Sequence, residues 1–124
     1  MKQEIRSSRA PVPIGPYSQA IKEGQLVFCS GQVGADPSTG TLAEGVVAQT
    51  ARAISNLSEV LRSSGLELKN VVKTTVFLID LAEFPAMNEE YAKHFSPPFP
   101  ARSTVQVVAL PKGARVEIEA LATA

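Results

Sequence analysis

The segments PARSTVQV at positions 100–107 and RVEIEA at positions 115–120 alternate between polar and apolar side chains. Such alternation over about four to eight residues is typical of a β-strand with one buried face. If both strands lie in one sheet and turn their apolar faces to a common core, their polar residues emerge together on the opposite face. That face would carry Arg102, Thr104, Glu117 and Glu119. The sequence therefore predicts one surface that combines an anion-binding guanidinium with carboxylates.

The composition limits the class of protein. A length of 124 residues predicts one domain, residues 1–124, without room for a second hydrophobic core. Twelve basic and twelve acidic residues balance, and Lys and Arg form no run, so we expect neither a nucleic-acid partner nor a membrane surface. The apolar stretches are too short to span a membrane. The charged first residues lack an apolar signal region, which favours a cytoplasmic protein.

A single cysteine and a single histidine restrict the chemistry further. Cys29 can form no intrachain disulfide, and in a buried strand it would behave as a small hydrophobic residue. His94 would have to serve alone in any histidine metal site or Ser-His-Asp triad. The sequence therefore predicts no metal site.

The remaining pattern predicts an α+β protein in which two helices cover one face of a sheet. The first helix spans about 46–63 and the second about 85–95. Their apolar stripes are Val47, Ala51, Ile54, Leu57 and Leu61 in the first, and Phe84, Asn88, Tyr91 and Phe95 in the second. Strands at 26–29 and 71–79 carry apolar side chains on both faces. We therefore expect a homo-oligomer that buries the second face.

Arg102 is the strongest candidate for binding a ligand. Its fork of donors suits a carboxylate or a phosphate, although an ion pair with Glu117 or Glu119 explains it equally well. If a partner subunit encloses this face, either carboxylate becomes a candidate base or water-orienting group; otherwise both are solvated residues of a strand.

Other candidates each have a structural alternative. Thr104 could bind a ligand or reflect the preference of Thr for strands. Tyr17 lies in a Pro- and Gly-rich loop, where it could form a pocket wall or simply pack. Ser30 and Gly31 could bring backbone donors close to a ligand or mark a turn. Asn88 would most simply hold the backbone of a neighbouring loop.

These pieces occur in an order that resembles one family. The motifs are IGPYSQA at 14–20, SGQ at 30–32, VKTTVF at 72–77, Asn88 with Tyr91, PARS at 100–103 and EIEA at 117–120. Together they cover nearly the whole chain and resemble the RidA/YjgF/UK114 family of reactive intermediate (enamine/imine) deaminases.

The resemblance implies a chorismate-mutase-like, YjgF-type fold with a six-stranded mixed sheet. It also implies a homotrimer with a central β-barrel and clefts between the subunits. The implied reaction is hydrolysis of short 2-imino acids, formed from enamines such as 2-aminoacrylate, to 2-oxo acids and ammonia without a cofactor. Two alternatives remain within the same fold: a non-catalytic carboxylate-binding or chaperone-like protein, and an endoribonuclease, which the balanced charge disfavours.

The resemblance also implies roles for single residues. Arg102 matches the arginine that binds the substrate carboxylate, and Glu117 matches the glutamate that positions the attacking water. Further cleft positions match Tyr17, Ser30, Gly31 and Asn88. Thr104 stands where many members have cysteine, which could alter the ligand range, and Val108 stands where a smaller or basic residue is more usual.

Overall fold

The computed structural model describes residues 1–124 as a six-stranded sheet with two α-helices on one face. The strands are β1 (Gln3–Ile5), β2 (Ala20–Glu23), β3 (Leu26–Val33), β4 (Val71–Leu78), β5 (Ala101–Gln106) and β6 (Val116–Thr123). The helices are α1 (Gly45–Arg62) and α2 (Phe84–Ala92). The predicted α+β architecture is confirmed.

The strands lie in the order β1-β2-β3-β6-β4-β5. β4 and β5 are parallel, and every other neighbouring pair is antiparallel, so the sheet is mixed as predicted. β2 and β3 form a hairpin whose turn contains Gly24 at φ 60°, a conformation that glycine adopts without steric cost. β5 is an edge strand, and α2 precedes it in the chain.

The core lies between α1, α2 and the sheet. Its large fully buried side chains include Ile54, Leu57, Leu61, Leu78, Met87 and Ile118. Helix α1 follows the predicted period, and Gly65 at φ 81° lies just beyond its end. The prediction that Val47 belongs to the buried stripe is wrong, because Val46 is buried in its place and Val47 is 47% exposed.

Helix α2 is shorter than predicted, since it ends at Ala92 rather than near Phe95. Phe95 is nevertheless buried beyond the helix end. The prediction that Asn88 lies within the apolar face is wrong: Asn88 is exposed, and its neighbour Met87 is fully buried. The helical stripe passes through Met87 and Tyr91, four residues apart, so Asn88 lies beside it.

The prediction that Arg102 and Thr104 share a face with the carboxylates of β6 is also wrong. β5 pairs with β4 so that Arg102 lies beside Thr74 and Thr104 beside Val76. Thr74 and Val76 are buried beneath the helices. Neighbouring residues of paired strands point to the same face. Arg102 and Thr104 therefore lie on the helix face of the sheet.

Glu117 and Glu119 lie on the other face, which no helix covers. Ile118 between them is fully buried beneath the helices, and successive side chains of a strand alternate. The sequence interpretation failed because it assumed that the apolar residues of every strand face the helices. On the edge strand β5 the reverse holds, and Val105 is 42% exposed on the helix-free face.

Candidate active site

Six of the candidate residues line two pockets, and Glu119 lines a separate, smaller one of about 190 Å³. The Arg102 pocket lies between α2 and the start of β5 and has a volume of about 400 Å³. The Glu117 pocket, of about 580 Å³, lies between the loop before β2, the end of β3 and the turn before β6. The Arg102 pocket contains Asn88 and Arg102. The Glu117 pocket contains Tyr17, Ser30, Gly31 and Glu117.

The Arg102 guanidinium rests against aromatic rings. Its central carbon lies 4.8 Å from the centre of the Tyr91 ring and 5.5 Å from that of Phe84, both cation–π distances. Arg115, by contrast, is held by Glu83 at 2.7 Å. Arg102 forms no ion pair with Glu117, Glu119 or any other carboxylate of the chain. Its donors are therefore free to bind an anion.

Two other predicted residues lie near Arg102. Asn88 lies on α2 and lines the same pocket, as does Phe99. Thr104 lines neither large pocket. Its hydroxyl oxygen is buried and has no hydrogen-bond partner within the chain. A buried hydroxyl without a partner is costly, so this position can accept a further donor or acceptor.

The Glu117 pocket is built around a β-bulge in β3. The register of β3 against β6 shifts between Cys29 and Gln32, so Ser30 and Gly31 lie at the irregularity. The Ser30 hydroxyl donates to the carbonyl oxygen of Ser18 at 2.6 Å. The Glu117 carboxylate lies so close to Gly31 that a Cβ there would overlap it. Glycine at this position therefore lets the carboxylate reach the pocket.

The environment of Glu117 raises the pKa of its carboxyl group. Burial is the larger cause, and it raises the pKa because it disfavours the charged form. The negative charge of Glu119 raises the pKa further. Glu117 forms no ion pair that would offset these effects. A carboxyl group with a raised pKa holds its proton more readily, which suits it to act as an acid as well as a base.

Gln19, a buried residue that the sequence interpretation missed, anchors the loop that carries Tyr17. Its side-chain oxygen accepts from the Ser7 N–H at 2.6 Å. Its amide nitrogen donates to the carbonyl oxygens of Ser7 at 3.1 Å and Pro11 at 2.9 Å. Tyr17 itself is 52% exposed at the edge of the pocket. Nothing in a single sequence distinguishes Gln19 from an exposed glutamine.

Three further residues at the pockets were missed or assigned to packing. Phe84 and Tyr91 were recognised as apolar, but their contact with Arg102 depends on the pairing of β5 with β4. Lys112 lines the Glu117 pocket and donates from Nζ to the carbonyl oxygen of Gly40 at 3.2 Å. Its φ of 61° lies in the left-handed region, in the turn before β6.

The structure offers no cluster of three or more His, Cys, Asp or Glu side chains placed to hold a metal ion. None of its helices combines the length and apolar character needed to cross a bilayer.

The chain matches the family model described as Endoribonuclease L-PSP over residues 7–124. Reactive Intermediate Deaminase A, chloroplastic, of Arabidopsis thaliana is 50% identical over 123 residues, which cover 98% of this chain and 66% of the plant protein. The 2-iminobutanoate/2-iminopropanoate deaminase of Homo sapiens is 48% identical over 123 residues, covering 98% of this chain and 90% of the human protein.

The fold of one solved structure is also closely similar to that of this chain. The crystal structure of RidA from the Antarctic bacterium Psychrobacter sp. superposes with a TM-score of 0.96 at 44% identity and covers 98% of this chain and 99% of that one. The fold and pockets thus define a YjgF-type α+β protein. The chain belongs to the Endoribonuclease L-PSP family, and the resemblance to the RidA/YjgF/UK114 deaminases is confirmed.

Proposed function

We propose that the protein hydrolyses short 2-imino acids, such as 2-iminobutyrate and 2-iminopropionate, to 2-oxo acids and ammonia. The observation that carries the proposal is the pair of chemically complementary pockets. One presents a guanidinium whose donors are free, and the other presents a half-buried carboxyl group with a raised pKa. The names of the Arabidopsis and human relatives support the same reaction.

The chemistry requires few groups. Arg102 binds the substrate carboxylate through two parallel hydrogen bonds, which fixes the imine carbon in place. The substrate reacts as the protonated iminium ion. As a carboxylate, Glu117 accepts one proton from a water molecule while the water oxygen bonds to the imine carbon and the C=N π electrons move to nitrogen, which gives a neutral carbinolamine. Glu117 then returns that proton to the amino nitrogen, the C–N bond breaks as the C=O bond forms, and the hydroxyl proton passes to the departing ammonia, which leaves as ammonium. No side-chain nucleophile, metal or cofactor enters this scheme.

The remaining predicted residues complete the pockets. Asn88 lies beside Arg102, where its amide can contact the substrate carboxylate. Tyr17, Ser30 and Gly31 line the Glu117 pocket. Thr104 lies two residues from Arg102 on the same face of β5, and its buried hydroxyl has no hydrogen-bond partner within the chain.

We propose that each active site forms between two copies of the chain in a homotrimer. Arg102 and Glu117 lie on opposite faces of the sheet, and β4 separates their strands. A substrate of four carbon atoms cannot contact both residues of one chain across a sheet. The helix-free face also exposes apolar side chains, among them Phe28 and Val105, whose burial between copies would stabilise an assembly.

A complementation experiment tests the shared site. Arg102→Ala and Glu117→Gln are each expected to be inactive, but coexpressed chains should assemble some sites from two intact halves. Random assembly through a heterologous interface restores about a quarter of the sites. Activity that stays at the level of the single variants would refute a site shared between subunits.

The reaction itself is tested by a coupled assay. Threonine dehydratase generates the enamine, and the appearance of 2-oxobutyrate is followed with and without the protein. We expect acceleration by the wild type, loss in Arg102→Ala, and full activity in the matched control Arg62→Ala, whose side chain is exposed at the end of α1. Turnover that survives in folded Arg102→Ala would contradict the role of Arg102.

Glu117→Gln and Glu119→Gln separate the two carboxylates of β6. Under mildly alkaline conditions we expect a loss of roughly 10²-fold or more only in Glu117→Gln, the range typical of removing a general acid–base group. Equal losses in both variants would overturn the assignment of the water-positioning role to Glu117.

Two alternatives are tested in parallel. A non-catalytic carboxylate-binding protein would bind 2-oxobutyrate in calorimetry without accelerating imine hydrolysis. An endoribonuclease is named in the family description, and Arg6, Arg9 and Arg62 line one polar surface pocket. Glu4 and Glu59 pair with two of these arginines, which weakens the attraction for RNA. RNA cleavage abolished by Arg9→Ala would support the nuclease.

The cytoplasmic location predicted from the sequence remains a proposal. Its support is the unpaired Cys29, which suits a reducing compartment. Cell fractionation with antibodies against the protein would test it.

A further inference from the structure

The direction of the Arg102 side chain is fixed by aromatic contacts. The side chains of Arg62 and Arg115 donate hydrogen bonds within the chain, whereas the side chain of Arg102 donates none. The contacts that define its position are the rings of Tyr91 and Phe84. The five N–H donors of a guanidinium lie in its own plane, and Arg102 lines the pocket, so donors that do not face the rings are available to a ligand there.

The Tyr91 ring is itself held in place. Tyr91 is 4% exposed and stacks against Phe95 with ring centres 4.6 Å apart. Its hydroxyl lies 2.8 Å from the hydroxyl of Thr74 in a buried hydrogen bond. Burial raises the pKa of Tyr91, so the phenol stays neutral and can donate this bond. The ring therefore has little freedom to turn away from Arg102.

Thr74 closes the connection through the backbone. It is the residue of β4 paired with Arg102 of β5, so the hydroxyl that fixes Tyr91 lies on the strand next to the one that carries the guanidinium. The pairing of β5 with β4 fixes the backbone position of Arg102. The Thr74–Tyr91 hydrogen bond fixes the position of the ring against which the Arg102 side chain lies.

We propose that Tyr91 is a positioning residue for carboxylate binding, anchored by Thr74, and that it acts by holding the Arg102 guanidinium toward the substrate. This inference depends on the proposed binding of a carboxylate by Arg102. It assigns to Tyr91 and Thr74 a share of substrate affinity that is exerted through the position of Arg102.

Kinetics of three variants test the proposal. Tyr91→Leu removes the ring, Tyr91→Phe removes the hydroxyl, and Thr74→Val removes the anchor at nearly constant volume. In Tyr91→Leu we expect KM to rise roughly 3- to 30-fold with a smaller change in kcat, because cation–π energies convert to this range and carboxylate binding is shared by ground and transition states. Tyr91→Phe and Thr74→Val should raise KM less.

Thr50→Val is the matched control. Thr50 is fully buried in α1, and its hydroxyl has no hydrogen-bond partner, so the same chemical change is made away from both pockets. Its KM should equal that of the wild type. A KM that rises equally in Thr50→Val would show that loss of any buried hydroxyl suffices, which would overturn the proposal.

A double-mutant cycle separates positioning from a general structural role. In the Arg102→Ala background, Tyr91→Phe and Thr74→Val should cause no further loss of 2-oxobutyrate affinity in calorimetry. A full additional loss there would show that Tyr91 acts independently of Arg102.

One readout needs no activity. In the wild-type ¹⁵N–¹H spectrum the Arg102 Nε resonance should show a ring-current shift that Tyr91→Leu removes and Thr74→Val reduces. An Nε resonance that no variant moves would refute the positioning role even if imine hydrolysis failed for the wild type. Absence of hydrolysis with the expected shifts would refute the proposed reaction alone.

Discussion

Replacing Gly31 by alanine is expected to displace the Glu117 carboxyl group while leaving the fold intact. A Cβ at Gly31 would lie 2.8 Å from Cδ and 3.0 Å from Cγ of Glu117. Carbon atoms in favourable contact are at least ~3.5 Å apart. Cδ of Glu117 therefore has to move away from the new Cβ by about 0.7 Å, which is ~3.5 Å minus 2.8 Å. The glycine has ordinary backbone angles, so alanine introduces no backbone strain.

The effect on activity should greatly exceed the effect on stability. A misplacement of about 1 Å in a catalytic group costs roughly 10²-fold in rate, so we expect kcat/KM to fall about 10- to 100-fold. Moving one flexible side chain off its preferred rotamer costs about 0.5–1.5 kcal/mol. For a chain of this size that lowers Tm by roughly 2–8 °C.

The assay combines 2-oxobutyrate formation with differential scanning calorimetry, and Gly34→Ala provides the contrast. A Cβ at Gly34 would lie 2.6 Å from the carbonyl oxygen of Gln49, a backbone atom of α1 that cannot swing away. The main effect of Gly34→Ala should therefore be a loss of stability rather than a loss of activity. Wild-type activity in Gly31→Ala, or an equal further loss when Gly31→Ala is added to Glu117→Gln, would refute the reasoning.

Three other predictions follow from the same structure. Activity that requires the Glu117 carboxylate falls as pH drops through the raised pKa of Glu117. Glu119→Gln removes one cause of that raised pKa, so the acid limb of the pH–rate profile should move to lower pH. An acid limb that does not move would contradict this prediction. Gln19→Ala loses four hydrogen bonds at the loop of Tyr17 and should lower the free energy of unfolding in urea by about 2–4 kcal/mol; an unchanged midpoint would count against the anchor. Burial raises the pKa of the Cys29 thiol to about 12, so thiol reagents at neutral pH should modify only denatured protein, and rapid labelling of the native state would disprove it.

The elements of the fold were predictable because they depend on local pattern. Period-two alternation marked β5 and β6, and the helical period marked α1 to within about a residue at each end. The end of α2 was placed too far along because Phe95 continues the apolar spacing after the helix has stopped. An apolar period indicates which residues are buried, but it does not indicate where the helix ends. Burial here continues into the segment that follows α2.

The chemical identity of the site was also present in the sequence. Arg102 and Glu117 were recognised by type and motif, and both line pockets in the structure. Their predicted common face was wrong, because the direction of a side chain on a strand depends on which face of the sheet the helices cover. Alternation alone gives two equivalent choices for each strand.

Local pattern therefore determined the strands, the helices and the residues able to do chemistry. Tertiary structure alone decided that β5 lies parallel to β4, which turns Arg102 onto Tyr91, and that the bulge at Gly31 admits the carboxyl group of Glu117. The Gly31–Glu117 contact joins residues far apart in the chain, and the Arg102–Tyr91 contact joins two different elements, β5 and α2. Their geometry depends on strand register and packing, to which every element contributes and which no short segment encodes.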